Sequence, residues 1–150
     1  GWGAWLSRLH HPDFFNACAV LAAAIRTAEQ LAELPYEDFL NNYNSALGEL
    51  NRNTVRINDF WNSNSILYLI SNLPIKRISQ VKYYIDIGDD DHLYKGNSLF
   101  HIKLRDLEIA HEYRVRDGKH NRIYFRTALD DALIFISNNF NNPLTTTNKR

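Results

Sequence analysis

Two short stretches hold the side chains best able to move a proton. In GDDDHLY, Asp89, Asp90 and Asp91 stand in consecutive positions after Gly88, and His92 comes next. In DGKHNR, His120 stands two residues after Gly118, whose missing side chain lets the backbone turn sharply. Should the two loops meet in space, a carboxylate can orient one imidazole nitrogen while the other takes a proton from a nucleophile, the orienting half of a Ser–His–Asp relay. That chemistry needs one Asp, yet the loop crowds in three whose like charges repel. A solvated acidic turn ahead of a helix, with a structural histidine in a second turn, would read the same way. The residue types alone leave both open.

Other chemistry-bearing groups are weaker. A cation site built from Asp86, Asp89, Asp90 and Asp91 lacks the alternating ligand order of an EF-hand. His10 and His11 are neighbours on a helical stretch and so point about 100° apart. No metal and no cofactor is therefore expected. The single cysteine, Cys18, has no intrachain disulfide partner and lies within ACAVLAAA, where it reads as a buried, inert thiol. No serine sits in G-x-S-x-G: Ser7 and Ser63 do not, and Ser98 reads as a helix cap.

The elements that must carry these loops alternate along the chain. Trp2, Trp5, Leu6 and Leu9 fall at helical spacing, with Arg8 and His10 off that stripe, and predict a helix over 2–10 that ends before Pro12. The continuously apolar run from Asn16 to Ala24 predicts a strand buried on both faces. TAEQ at Thr27–Gln30 has capping-box form, so a helix should begin there and stop near Pro35. From Tyr36 to Ser65 the sequence is rich in Asn, Tyr and acids without a sustained period, which predicts an irregular, partly helical excursion.

Residues 66–73 fit a helical turn or a short strand, closed by Pro74. VKYYIDI, 81–87, predicts the clearest strand. After Gly96 a helix should form, capped by Asn97 or Ser98, with Phe100, Leu104 and Leu107 on one face. HEYRVRD alternates as a strand over 111–117. The strongest helix runs from Asn121 to Phe140, with Phe125, Leu129, Ala132, Leu133, Ile136 and Phe140 on one face, before a polar tail expected to fray. This alternation predicts an α/β fold in which helices flank a mostly parallel sheet, and ligands in such sheets bind beyond the carboxyl ends of the strands. Both titratable loops lie at such ends.

Composition bounds the partners. Lys plus Arg (17) balances Asp plus Glu (17) in 150 residues. No global field attracts nucleic acid or an anionic membrane. The longest apolar run, Ala17–Ile25, is shorter than the roughly 20 residues a membrane span needs. No secretion signal is visible at the start, and the absence of any Met suggests that the natural chain begins before Gly1.

The segment VKYYIDIGDDDHLYKGNSLFHIKLRDLEIAHEYRVRDGKHNRIYFRTALDDALIFI resembles the C-terminal part of the esterase D-like serine esterases of the α/β-hydrolase fold, a group that includes S-formylglutathione hydrolases and feruloyl or acetyl esterases. GWGAWLSRLHHPDFFNACAVLAAA is similar to the stretch just after the nucleophile in those enzymes. The resemblance implies that residues 1–150 are the C-terminal portion of one such domain, with a cap-like excursion at about 36–65. Its Gly-x-x-Asp motif falls on Gly88–Asp91 and makes Asp91 the catalytic acid; its Asp-Gly-x-His turn makes His120 the base. Asp89 and Asp90 would then be screened turn residues. His92 stands where the family more often has an aromatic.

The nucleophilic Ser would lie about three residues before Gly1. The chain alone is thus expected to be inactive toward a small-molecule ester, and its first strand should offer an open edge to the missing N-terminal half or to another partner. A non-catalytic binding module on the same scaffold is the alternative.

Overall fold

The computed structural model describes residues 1–47 and 55–140. Three parallel strands, β1 (Ala17–Leu21), β2 (Lys82–Gly88) and β3 (His111–Arg116), pair in the order β1-β2-β3. Ala17 lies opposite Lys82, and Gly88 opposite Arg116. β2 is buried from Tyr83 onward, as a central strand covered on both faces must be. β1 forms one edge of the described sheet, as expected, and is shorter than the apolar run because Ala22 turns the chain with φ 44°.

The helices cover two faces. On one, α1 (Trp2–His10), α5 (Ile66–Asn72) and α7 (Tyr94–Asp106) bury Trp5, Leu9, Ile66, Ile70, Phe100 and Leu104 against Val20, Tyr83 and Ile85. The Trp5 ring stacks on Tyr83 at 4.6 Å and meets the edge of Phe100 at 4.4 Å, fixing α1 to the central strand. On the other face α8 (Arg122–Phe140) packs Ala132 and Phe135 against Tyr84. No described helix is long and apolar enough to cross a membrane.

Several local expectations hold. Thr27 and Gln30 form a reciprocal capping box at the start of α2 (Ala28–Glu33), which stops before Pro35. Of the two readings of 66–73, the helical one holds, over Ile66–Asn72, with the Ser65 hydroxyl accepting the Tyr68 N–H.

Others are corrected. The segment 36–65 is more helical than its composition suggests: α3 (Tyr36–Leu47) and α4 (Asp59–Asn64) bury Phe39, Tyr43 and Trp61 together with Leu31 in a small core of their own. Residues 48–54 of that segment and the tail 141–150 lie outside the described residues. A further short helix, α6 (Ile75–Ile78), comes after Pro74. Arg8, read as leaving the apolar stripe, is buried; its Nη2 donates to the carbonyls of Arg77 at 2.7 Å and Ile78 at 2.9 Å, capping α6.

α7 begins at Tyr94 rather than after Gly96 and takes Leu93, not Asn97 or Ser98, as its cap. Gly96 is instead a contact residue, because a Cβ there would overlap the Ile25 carbonyl. Asn97 is buried beside it, donating to the carbonyls of Ala23 and Leu93 at 2.9 Å each, and Ser98 pairs with the Tyr113 hydroxyl at 3.0 Å. The buried face of α8 is also turned: Tyr124, Ala128, Ala132 and Phe135 face inward, whereas Leu129 and Leu133 are exposed. Two alanines let the helix approach the sheet closely, and Tyr124 carries a hydroxyl to a buried partner that Phe125 could not serve.

Candidate active site

The tips of β2 and β3 are stitched together before any side chain acts. The Asp89 N–H donates to the Arg116 carbonyl at 2.9 Å, and the Asp90 N–H to the Gly118 carbonyl at 3.1 Å. Asp89 Oδ1 accepts the N–H groups of Gly118 and Asp90, each at 3.0 Å. Gly88 is required here, since a Cβ would collide with the Gly118 carbonyl. Gly118 itself has φ +150°. Asp89 therefore joins the two loops rather than being merely tolerated in the turn.

That stitching delivers Asp91 to His120. The Asp91 side chain is fully buried; its Oδ1 accepts the Leu93 N–H at 2.9 Å, and its Oδ2 lies 2.9 Å from His120 Nδ1. An ionised carboxylate only accepts, so it fixes the imidazole proton on Nδ1 and leaves Nε2 as the basic nitrogen. His120 is 38% exposed, and the edge of Phe125, at 5.1 Å between ring centroids, restrains its plane. The three acids thus divide: Asp91 is buried on the histidine, Asp89 braces the loops, and Asp90 is exposed.

His120 opens onto a cavity of about 410 Å³ that also meets Gly1, Arg26, Tyr43, His92 and Phe125. Arg26 Nε donates to the Tyr43 hydroxyl at 2.6 Å. Tyr43 thus faces the cavity, whereas Trp61 is buried behind it with ring centroids 6.2 Å apart. Phe60 is exposed on α4. The four acids considered for a cation do not converge, because Asp86 and Asp89 spend their carboxylates elsewhere. Among the described residues, the ligand-type side chains that do gather are Asp91, His92 and His120.

Beneath the Asp91–His120 pair lies a buried polar cluster. Asp86 is fully buried and accepts the hydroxyls of Tyr84 at 2.8 Å and Tyr124 at 2.9 Å, together with Arg116 Nε at 3.0 Å. Arg116 also reaches Asp131 on α8 at 2.9 Å. Burial, then the bond to Asp86, pushes the Tyr124 and Tyr84 phenols well above the ordinary range. The Arg116 contact holds Asp131 below the usual carboxylate range. This cluster ties β2, β3 and α8 together at the base of the His120 turn. An acid inside the apolar strand VKYYIDI was the signal for it, since a buried charge demands a partner. Arg26 and Asn97 carried no comparable signal.

No family model matches the chain, and no match was found among curated proteins. Solved structures do match. A ferulic acid esterase shares 26% identity over 92% of this chain, with a TM-score of 0.70. An S-formylglutathione hydrolase from Staphylococcus aureus, in its apoenzyme form, shares 20% identity over 90% of the chain with a TM-score of 0.61. A fluorophosphonate-binding serine hydrolase from the same organism, determined with substrate bound, shares 22% over 90% with a TM-score of 0.66. The matches span 48%, 50% and 49% of those three proteins, so the chain corresponds to about half the length of each. With its three-stranded parallel sheet and flanking helices, the chain has part of an α/β-hydrolase fold.

Proposed function

We propose that this chain supplies the acid and base of a carboxylic-ester hydrolase that works through an acyl-enzyme. One observation carries the reading: the buried Asp91 carboxylate lies 2.9 Å from Nδ1 of a histidine that opens onto a cavity at the carboxyl ends of parallel strands. Among the described residues no serine hydrogen-bonds His120, and the reading takes the nucleophile to be a serine joined to the chain ahead of Gly1. Gly1 and Trp2, at the start of α1, border the same cavity. A serine joined to the chain just before them would reach His120, and the N–H groups at the start of α1 would help hold an oxyanion.

In that mechanism His120 Nε2 takes the serine proton as the oxygen attacks the ester carbonyl, and Asp91 stabilises the imidazolium without becoming protonated. The same proton then passes to the departing alkoxide. A water, deprotonated by His120, releases the acid in the second half. The segment holding α3 and α4 acts as a cap over the substrate, with Tyr43 on its inner wall beside Arg26, and the outer edge of β1 takes a further strand from the remainder of the domain. No cofactor is needed.

The test joins the chain to the nucleophile-bearing segment and monitors hydrolysis of a short aryl ester. His120→Ala should remove about three orders of magnitude or more of turnover. Undiminished turnover in the variant removes His120 from the mechanism. An intact protein that binds the ester but never turns it over favours the binding-module alternative.

A further inference from the structure

His92 is 64% exposed at the mouth of the cavity, and its side chain is not spent on packing. Its Nδ1 lies 3.5 Å from Asp91 Oδ1, and its ring sits 5.4 Å from that of His120. One ligand atom from each of Asp91, His92 and His120 falls within 4.8 Å of the others. A zinc ion bonds nitrogen and carboxylate oxygen at about 2.0–2.2 Å, which places tetrahedral ligands roughly 3.5 Å apart. The His92–Asp91 separation already meets this. Asp91 Oδ2 and His120 Nδ1, at 2.9 Å, must open slightly to that spacing, and the wider part of the cluster, up to 4.8 Å, closes by movement of the exposed His92.

We infer that Asp91, His92 and His120 form a binding site for a divalent transition metal ion, zinc in the first instance, that competes with the proton relay. Two imidazoles and a carboxylate favour zinc, copper or nickel over magnesium or calcium, which prefer all-oxygen sites. A fourth position is left facing the cavity. Arg26 borders that cavity, but its Nε is turned to the Tyr43 hydroxyl. A metal bound through His120 Nδ1 takes the place of the proton that Asp91 holds there, and the neutral imidazole then carries its proton on Nε2, which can no longer accept one from a nucleophile. Binding itself does not depend on the ester-hydrolysis reading; only the inhibitory consequence rests on it.

Zinc is titrated into the 150-residue chain by calorimetry, with cobalt as a spectroscopic stand-in. The expected result is one ion per chain and a tetrahedral cobalt absorption. His92→Phe, at an exposed position, should weaken zinc binding by at least about tenfold, and His120→Asn should do the same. His101→Ala, which removes half of the separate His101–His111 pair (Nδ1 to Nε2, 2.7 Å), should leave binding unchanged. Absence of zinc binding, affinity unchanged in His92→Phe, or loss only in His101→Ala overturns the proposal. If the longer protein hydrolyses esters, zinc should inhibit it and His92→Phe should relieve the inhibition. Binding without ester turnover would sink the hydrolase reading while leaving the metal site standing.

Discussion

Arg116→Met is the sharpest test of how the strand tips that carry Asp91 and His120 are held. Asp86 is wholly buried and receives hydrogen bonds from Arg116, Tyr84 and Tyr124. Removing the guanidinium leaves two phenol hydroxyls to stabilise a buried carboxylate. Breaking one half of a buried ion pair costs about 3–5 kcal/mol. The arginine side chain is 20% exposed, so water can fill part of the gap and the lower end applies, about 3 kcal/mol. With a urea slope of about 2 kcal/mol per M, the unfolding midpoint should fall by roughly 1.5 M. Adding Asp86→Asn to Arg116→Met should recover part of the loss, because the orphaned charge is gone while the amide oxygen still accepts one tyrosine hydroxyl and the amide NH2 can donate to the other's oxygen. Urea unfolding monitored by tryptophan fluorescence reads all of these directly. A loss below about 1 kcal/mol in Arg116→Met, or no recovery in the double variant, would refute the claim that this pair bears on the strand tips.

The same geometry sets three further outcomes. Gly88→Ala forces a methyl against the Gly118 carbonyl, so it should cost at least about 2 kcal/mol in urea unfolding and broaden the His120 imidazole signals in NMR. Burial pushes the Cys18 thiol up to about 12, so a thiol reagent at pH 8 should label the native chain far more slowly than the unfolded one. His101 is held below the ordinary imidazole range by burial, with His111 and Arg105 adding repulsion. The unfolded chain then takes up this proton first as pH falls. This contribution to stability should be complete above about pH 6.5 and decline as the pH drops toward the folded value, and in His101→Gln that part of the decline should vanish from the urea midpoints.

Much of the frame was legible because its signals are local. VKYYIDI reads as the clearest strand, TAEQ marks a helix start within one turn, and the two strand-end loops display Asp91 and His120, whose side chains lie 2.9 Å apart. The features that were missed depend on partners far along the chain. Arg8 looks like a surface residue until the carbonyls of Arg77 and Ile78 arrive beside it. Gly96 looks like a helix boundary, whereas the Ile25 backbone presses against it inside α7. The apolar stripe of α8 misleads because hydrophobic spacing cannot register that Tyr124 has a buried acid to meet. The role of Asp89 is hidden for the same reason: its bond runs across two loops to Gly118.

Three single substitutions, assayed in parallel on the chain joined to its nucleophile-bearing segment, test the assignment most directly: Asp89→Asn, Asp90→Asn and Asp91→Asn, each read by turnover of a short aryl ester. Only Asp91→Asn should lower turnover by about three to four orders of magnitude, since only that carboxylate fixes the His120 tautomer. Asp90→Asn should be near neutral, and Asp89→Asn should lose less than about tenfold, because an amide oxygen can still accept the Gly118 N–H. Full turnover in Asp91→Asn, or equal losses across the three, would contradict the account.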